Sequence, residues 1–197
     1  MPKRVDPGER RQAIAAAVYE VIGERGWEAV SLRDVASAAG VSMGQVQHYF
    51  TTKSDMLLFA LGHNRARVLA RLQQEVAALP DPTQREQIRA AMRVSLPMDT
   101  PGRQEAVVNI AFLSAATVTP AYAQILRDEY AQVLALAQAQ LGAAAANGEL
   151  REDIDPRREA AALFFLLDGL IGPVLIGVLT PEAALDILDH QLERIFR

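Results

Sequence analysis

Apolar residues recur along almost the whole chain at the three- and four-residue spacing of a helix face. No stretch alternates with the two-residue period of a half-buried strand, so the pattern predicts an all-α fold. Ile14, Val18, Val21 and Ile22 make one stripe on a helix from about Gly8 to Arg25, with Gly26 placed to stop it and Trp27 and Val30 folding back onto it. Ser31 to Asp34 is a capping-box pattern that opens a short helix carrying Leu32, Val35, Ala36 and Ala39, and Gly40 closes it. Val41 reads as a buried plug. Ser42 to Gln45 repeats the capping pattern at the head of another short helix running through Tyr49. Two short helices joined by a tight turn with a glycine form a helix-turn-helix.

Beyond Phe50 the stretch from Thr51 to Asp55 marks a new start, and the apolar pattern continues from Met56 to Leu79, predicting one long helix over 53–79. Pro80-Asp81-Pro82 breaks it. Further helices are predicted over about 83–96, 104–117, 120–146, 156–178 and 181–196, with a loop over 97–102 by composition. The expectation is about nine helices in two parts, a small N-terminal domain over 1–53 and a larger helical domain over 54–197, linked by the long helix.

Composition narrows the class. With 197 residues, half of them apolar, the chain can bury one or two cores. The absence of cysteine excludes a disulfide framework, a thiolate zinc site and a cysteine nucleophile, and points to a reducing cytoplasm. Only His48, His63 and His190 supply imidazoles, which excludes a histidine-rich metal site; no metal and no cofactor are expected. The charged N-terminus runs into an amphipathic pattern without an apolar signal core. The apolar run Leu163 to Leu179 contains Asp168 and Gly172-Pro173, which suits a buried or interface helix better than a membrane span.

Net charge is −4, yet it is unevenly distributed: residues 1–71 hold ten Lys or Arg against seven Asp or Glu, and residues 72–197 hold ten against seventeen. A mildly basic end that can approach polyanions is thus joined to an acidic remainder. A helix-turn-helix reads DNA by laying its second helix in the major groove, which demands a small residue where backbone nears duplex and exposed polar side chains near the helix start. Ser42, Gly44, Gln45 and Gln47 meet that demand. Donors for phosphates flank the helix, Ser31 before it and His48, Tyr49 and Lys53 after it. Lys3, Arg4, Arg10 and Arg11 have two readings, an arm reaching the duplex or a soluble tail.

The run Ser31 to Ala36, followed by Gly40-Val41-Ser42, Gly44, Val46, His48-Tyr49-Phe50, Lys53 and Leu57-Leu58, resembles the DNA-binding domain of the TetR family of transcriptional regulators. Val46, His48-Tyr49-Phe50, the run Gly148 to Pro156 and the final Thr180 to Leu185 segment look most like the BetI-type subgroup. The resemblance implies a cytoplasmic homodimer that binds a palindromic DNA operator, usually represses transcription, and is released by a small-molecule effector. By position, Arg33 matches a base-reading residue of some members and Tyr49 and Lys53 match phosphate-contacting positions; Arg33 reads equally as a solvated charge. Met43 and Gln47 depart from the commoner family residues, so an operator sequence does not carry over from a relative.

The same resemblance assigns dimerisation and effector binding to the larger domain. Phe164, Leu167, Leu170, Ile171 and Val174 lie on a helix apolar almost all round, and Leu185, Leu188 and Leu192 give the last helix a stripe. A four-helix dimer interface from these two helices is the expectation, with a core inside one chain as the alternative. Met92, Asn109, Phe112, Leu113, Ala116, Tyr122, Leu126 and Tyr130 on the middle helices are the candidate effector pocket, its chemistry open and no aromatic cage evident. No nucleophile with its base, glycine-rich phosphate loop or metal spacing appears, which argues against an enzyme. The alternative function is a helical ligand-binding or scaffold protein without DNA binding.

Overall fold

The computed structural model describes residues 6–27 and 30–197. Among these residues there are nine helices: α1 (Pro7–Arg25), α2 (Leu32–Ala38), α3 (Met43–Tyr49), α4 (Lys53–Ala77), α5 (Gln84–Ser95), α6 (Thr100–Ala116), α7 (Pro120–Ala146), α8 (Pro156–Leu175) and α9 (Pro181–Ile195). None is long and apolar enough to cross a membrane.

Helix starts follow the polar punctuation of the sequence. Ser42, Thr52 and Thr83 each accept a hydrogen bond from the third backbone N–H of their helix, and the side chains of Gln45, Asp55 and Glu86 accept one from the backbone N–H of the cap. Thr119 makes no such bond, and Pro120 starts α7 instead, its missing N–H being one that the first turn leaves unpaired anyway. One boundary differs from the periodicity. The stretch expected as a loop over 97–102 already contains the first turn of α6, because Asp99 accepts from the Gly102 N–H at 2.7 Å and Pro101 is at home in a first turn.

The small bundle is built on α1. Ile14, Val18, Val21 and Ile22 pack with Val30, Val35, Val46 and Phe50, and the same core takes in Met56, Leu57 and Ala60 from α4 and Val108 from α6. Helix α4 therefore belongs to both halves, its first turns in the small core and its remainder alongside the large domain. A second core gathers Ile88, Met92 and Leu96 with Leu141, Leu163, Leu188, Leu192, Ile195 and Phe196. The chain end is pinned there by an isolated antiparallel pairing of Leu150 with Phe196. Between the two lies a small third cluster of Leu61, Phe112, Ala116 and Tyr122, against which Trp27 packs.

Of the four basic residues with an arm reading, Lys3 and Arg4 lie outside the described residues. Arg10 and Arg11 are helical, and the Arg11 guanidinium sits 4.4 Å from the Phe59 ring centre and 5.3 Å from that of Phe50. That stacking ties α1 to α4, so Arg11 is part of the fold and not of a free arm.

Candidate nucleic-acid interface and ligand cavity

Helix α3 has only seven residues and one fully buried side chain, Val46. A helix this short is not stable by itself. It is held by Val46 in the core, by Phe50 just beyond its end, and by the turn before it. In that turn Gly40 has φ 63°, a left-handed conformation that costs an L-residue strain, and Val41 N–H donates back to the Ala36 carbonyl at 2.9 Å. The result is a rigid polar rod: Ser42, Met43, Gly44, Gln45, Gln47 and His48 are all exposed.

Gln45 is less free than its exposure suggests. Its Oε1 accepts the Ser42 N–H at 3.1 Å while Ser42 Oγ accepts the Gln45 N–H at 3.2 Å. Two-point reading of an adenine by Gln45 would break this box, whereas its amide N–H2 and the whole side chain of Gln47 are available as they stand. Arg33 is exposed on α2, and Asp34 beside it is engaged by Arg25 at 2.8 Å and by Ser31. Those two hydrogen bonds, Ser31 first, hold the Asp34 carboxyl below the usual range. Ser31 is thus a half-buried cap of α2, with its hydroxyl already in use.

Lys53 is exposed at the first position of α4, next to the half-buried Tyr49. One residue on, Ser54 Oγ and Tyr122 Oη are hydrogen-bonded at 2.8 Å. Tyr122 therefore faces the small domain, not a ligand cavity. Its ring lies 4.9 Å from Phe112 and 6.2 Å from Trp27, and Phe112 lies 5.6 Å from Trp27.

A cavity of about 380 Å³ opens between α4, α6, α7 and α8. Asn109, Phe112, Leu113, Leu126 and Tyr130 lie on its wall; Met92, Ala116 and Tyr122 do not, being packed in the second and third cores. The wall also carries Glu105, Glu129 and Asp168, which sequence reasoning did not place there. Glu105 is 5% exposed, bonded through Oε2 to Arg71 of α4, and its Oε1 has no partner among the described residues. Glu129 lies 3.7 Å from Arg65. Burial is the first cause pushing all three carboxyls above their ordinary range, opposed at Glu105 by Arg71 and Arg67 and at Glu129 by Arg65. Burial, then Asp168 and Glu129, likewise pushes the Tyr130 hydroxyl up. The only available signal was an acid inside an apolar helical pattern, at Glu105 and again at Asp168.

The expected dimer residues are also redistributed. Phe164, Leu167 and Ile171 line the cavity. Leu170, Val174, Leu185, Leu188 and Leu192 lie in the chain's own second core, where α9 packs on α5 and α8. Five of the eight residues expected between two chains are thus already covered within one chain. An apolar stripe does not say which neighbour covers it, and here the neighbours are largely intrachain. On α8, α9 and the turn between them, Phe165 at 54% exposure, Ile176, Val178 and Ile187 stay apolar and open, with Ala162 and Gly169 exposed on α8 as well.

A family model described as bacterial regulatory proteins of the tetR family matches residues 14–59, and one described as BetI-type transcriptional repressor, C-terminal, matches residues 82–197. The chain belongs to the TetR family, with a BetI-type C-terminal domain. The transcriptional regulator PksA of Bacillus subtilis is 30% identical over 86% of this chain and 80% of its own length. A transcriptional regulator of Rhodococcus sp. Rha1, known as a crystal structure, is 33% identical over 94% of this chain and 95% of its own, with TM-score 0.80. A regulator of Saccharomonospora viridis solved with choline is 25% identical over 96% and 99%, with TM-score 0.82. As a TetR-family member this chain is a DNA-binding transcriptional regulator with a ligand-binding C-terminal domain.

Proposed function

We propose that a homodimer of this chain binds a palindromic operator with one α3 in each of two successive major grooves, represses transcription there, and is released when a small molecule fills the cavity between α6, α7 and α8. The observation that carries the reading is the exposed polar face of α3, built on a capped turn and a buried Val46 and Phe50, with Lys53 exposed beside it. Ser42, Gly44, Gln47 and the amide of Gln45 face the bases, while His48, Tyr49 and Lys53 meet phosphates. Arg33 is exposed and is assigned to the same surface. Ser31 supports it by holding the start of α2.

The dimer is proposed to form across the open face of α8 and α9, centred on Phe165, Ile176 and Ile187, where Ala162 and Gly169 let a partner helix come close. Two half-sites must lie about 34 to 36 Å apart, so a ligand that favours another spacing weakens operator binding by its differential affinity for the two states. Helix α4 is the connecting lever: it starts at Lys53, contributes Leu61 and Val68 to the cavity wall, and holds Glu105 through Arg71.

The test is an electrophoretic shift with DNA from beside the chain's own coding region, repeated over a range of salt. A specific complex with steep salt dependence is expected. A protein that ignores duplex DNA at low ionic strength would instead be the ligand-binding scaffold.

A further inference from the structure

Resting on the reading that this cavity is the effector site, we propose that its ligand is an apolar molecule carrying a protonated primary or secondary amine, whose N–H groups are received by Glu105 and Asp168. The wall holds three carboxylates and no lysine, arginine or histidine among the described residues. Two of the three are partly neutralised from outside, Glu105 by Arg71 and Glu129 by Arg65; Asp168 has no ion-pair or hydrogen-bond partner among the described residues. A neutral or anionic ligand would leave that excess charge uncompensated in a half-enclosed apolar site, and a cation compensates it.

The kind of cation follows from the acceptors. Glu105 is buried, and its Oε1 lacks any donor among the described residues. A buried acceptor left without a donor carries its full desolvation penalty, and an ammonium N–H removes that penalty through a charge-assisted hydrogen bond. A quaternary ammonium has no N–H and is recognised by the faces of a ring box. The aromatic rings of this wall do not make one. Tyr130 and Phe164 meet edge to face at 5.2 Å and 77°, which makes two walls at most, and the third ring, Phe112, is buried against Trp27 and Tyr122 and closes no box around them. The remaining wall, with Leu113, Leu126 and Val133, suits a hydrocarbon body.

Three probes with one tail test this on the full chain: n-octylamine, trimethyloctylammonium and 1-octanol, titrated calorimetrically near neutral pH. Emission of Trp27, the only tryptophan and a neighbour of cavity-lining Phe112, is the second readout. Octylammonium is expected to bind at least tenfold tighter than either of the others. Asp168→Asn, a change at an exposed position of the wall, is expected to lower octylammonium affinity at least fivefold and leave octanol unchanged. Glu105→Gln should lower it similarly. Equal or tighter binding of the trimethylated probe or of octanol, or no binding of octylammonium, overturns the amine assignment. Tight octylammonium binding that leaves operator affinity unchanged at saturation keeps the assignment and overturns the effector role of the cavity.

Discussion

Gln45 combines two jobs that a single substitution can separate. Glutamate also completes a capping box, so Gln45→Glu keeps the bond to the Ser42 N–H while removing the amide donor proposed to face DNA. Its circular dichroism and melting should match the wild type, while operator preference changes at particular base pairs. Lys53→Ala, in contrast, should weaken binding to all sequences about uniformly and lower the slope of log affinity against log salt by about 1, measured by fluorescence anisotropy. Asp168 is the matching case in the cavity. Although the residue is exposed, the cavity wall takes part of the water from its carboxyl, which titrates above the ordinary value in the folded state. The folded chain thus holds its proton to higher pH than the unfolded chain, and stability falls as pH rises through that window. Asp168→Asn should therefore melt higher than wild type at neutral pH, with the gain disappearing once pH drops below the ordinary aspartate range.

Among the elements, the turn between α2 and α3 is the most sharply constrained. Gly40 is left-handed at φ 63°, and a Cβ there would meet no atom within 4 Å, so the penalty for Gly40→Ala is backbone strain alone, about 1 to 2 kcal/mol. Chemical denaturation should show that loss, and operator affinity should fall with it because α3 is aimed by this turn. Helix α9 makes the opposite point. Leu188 and Leu192 are fully buried in the chain's own core, so Leu188→Ala should cost about 2 to 5 kcal/mol in denaturation through lost burial and a cavity. It removes no exposed surface from the proposed dimer face.

At the scale of the whole molecule, the small core and the third cluster are joined by one helix and one aromatic trio. Helix α4 runs from the small core past the cavity, and Trp27, Phe112 and Tyr122 connect the end of α1 to the cavity wall. Tyr122 reaches Ser54, the neighbour of the proposed phosphate contact Lys53. A ligand against Phe112 is thus two side chains from the start of α4, where the proposed phosphate contact lies. Association belongs to this scale as well. Phe165→Glu places a charge on the largest exposed apolar side chain of α8 and should shift the protein toward monomer in sedimentation velocity. Operator affinity should drop with it, since two linked half-sites bind far more tightly than one.

Much of this chain was legible before any fold was known. Caps, prolines and periodicity are local signals, and Ser42, Thr52, Pro120, Asp155 and Thr180 mark their helix starts whatever surrounds them. The turn at Gly40 and the exposed face of α3 follow from the same short-range chemistry. What only tertiary structure decided is which partner each apolar face meets. The stripe of α9 and much of that of α8 turned inward, Tyr122 left the cavity for Ser54, and Glu105, Glu129 and Asp168 converged on one wall from three helices. Apolar burial is non-directional, so a stripe records that a side chain is covered but not by what; convergence of charges from distant segments is a property of packing alone.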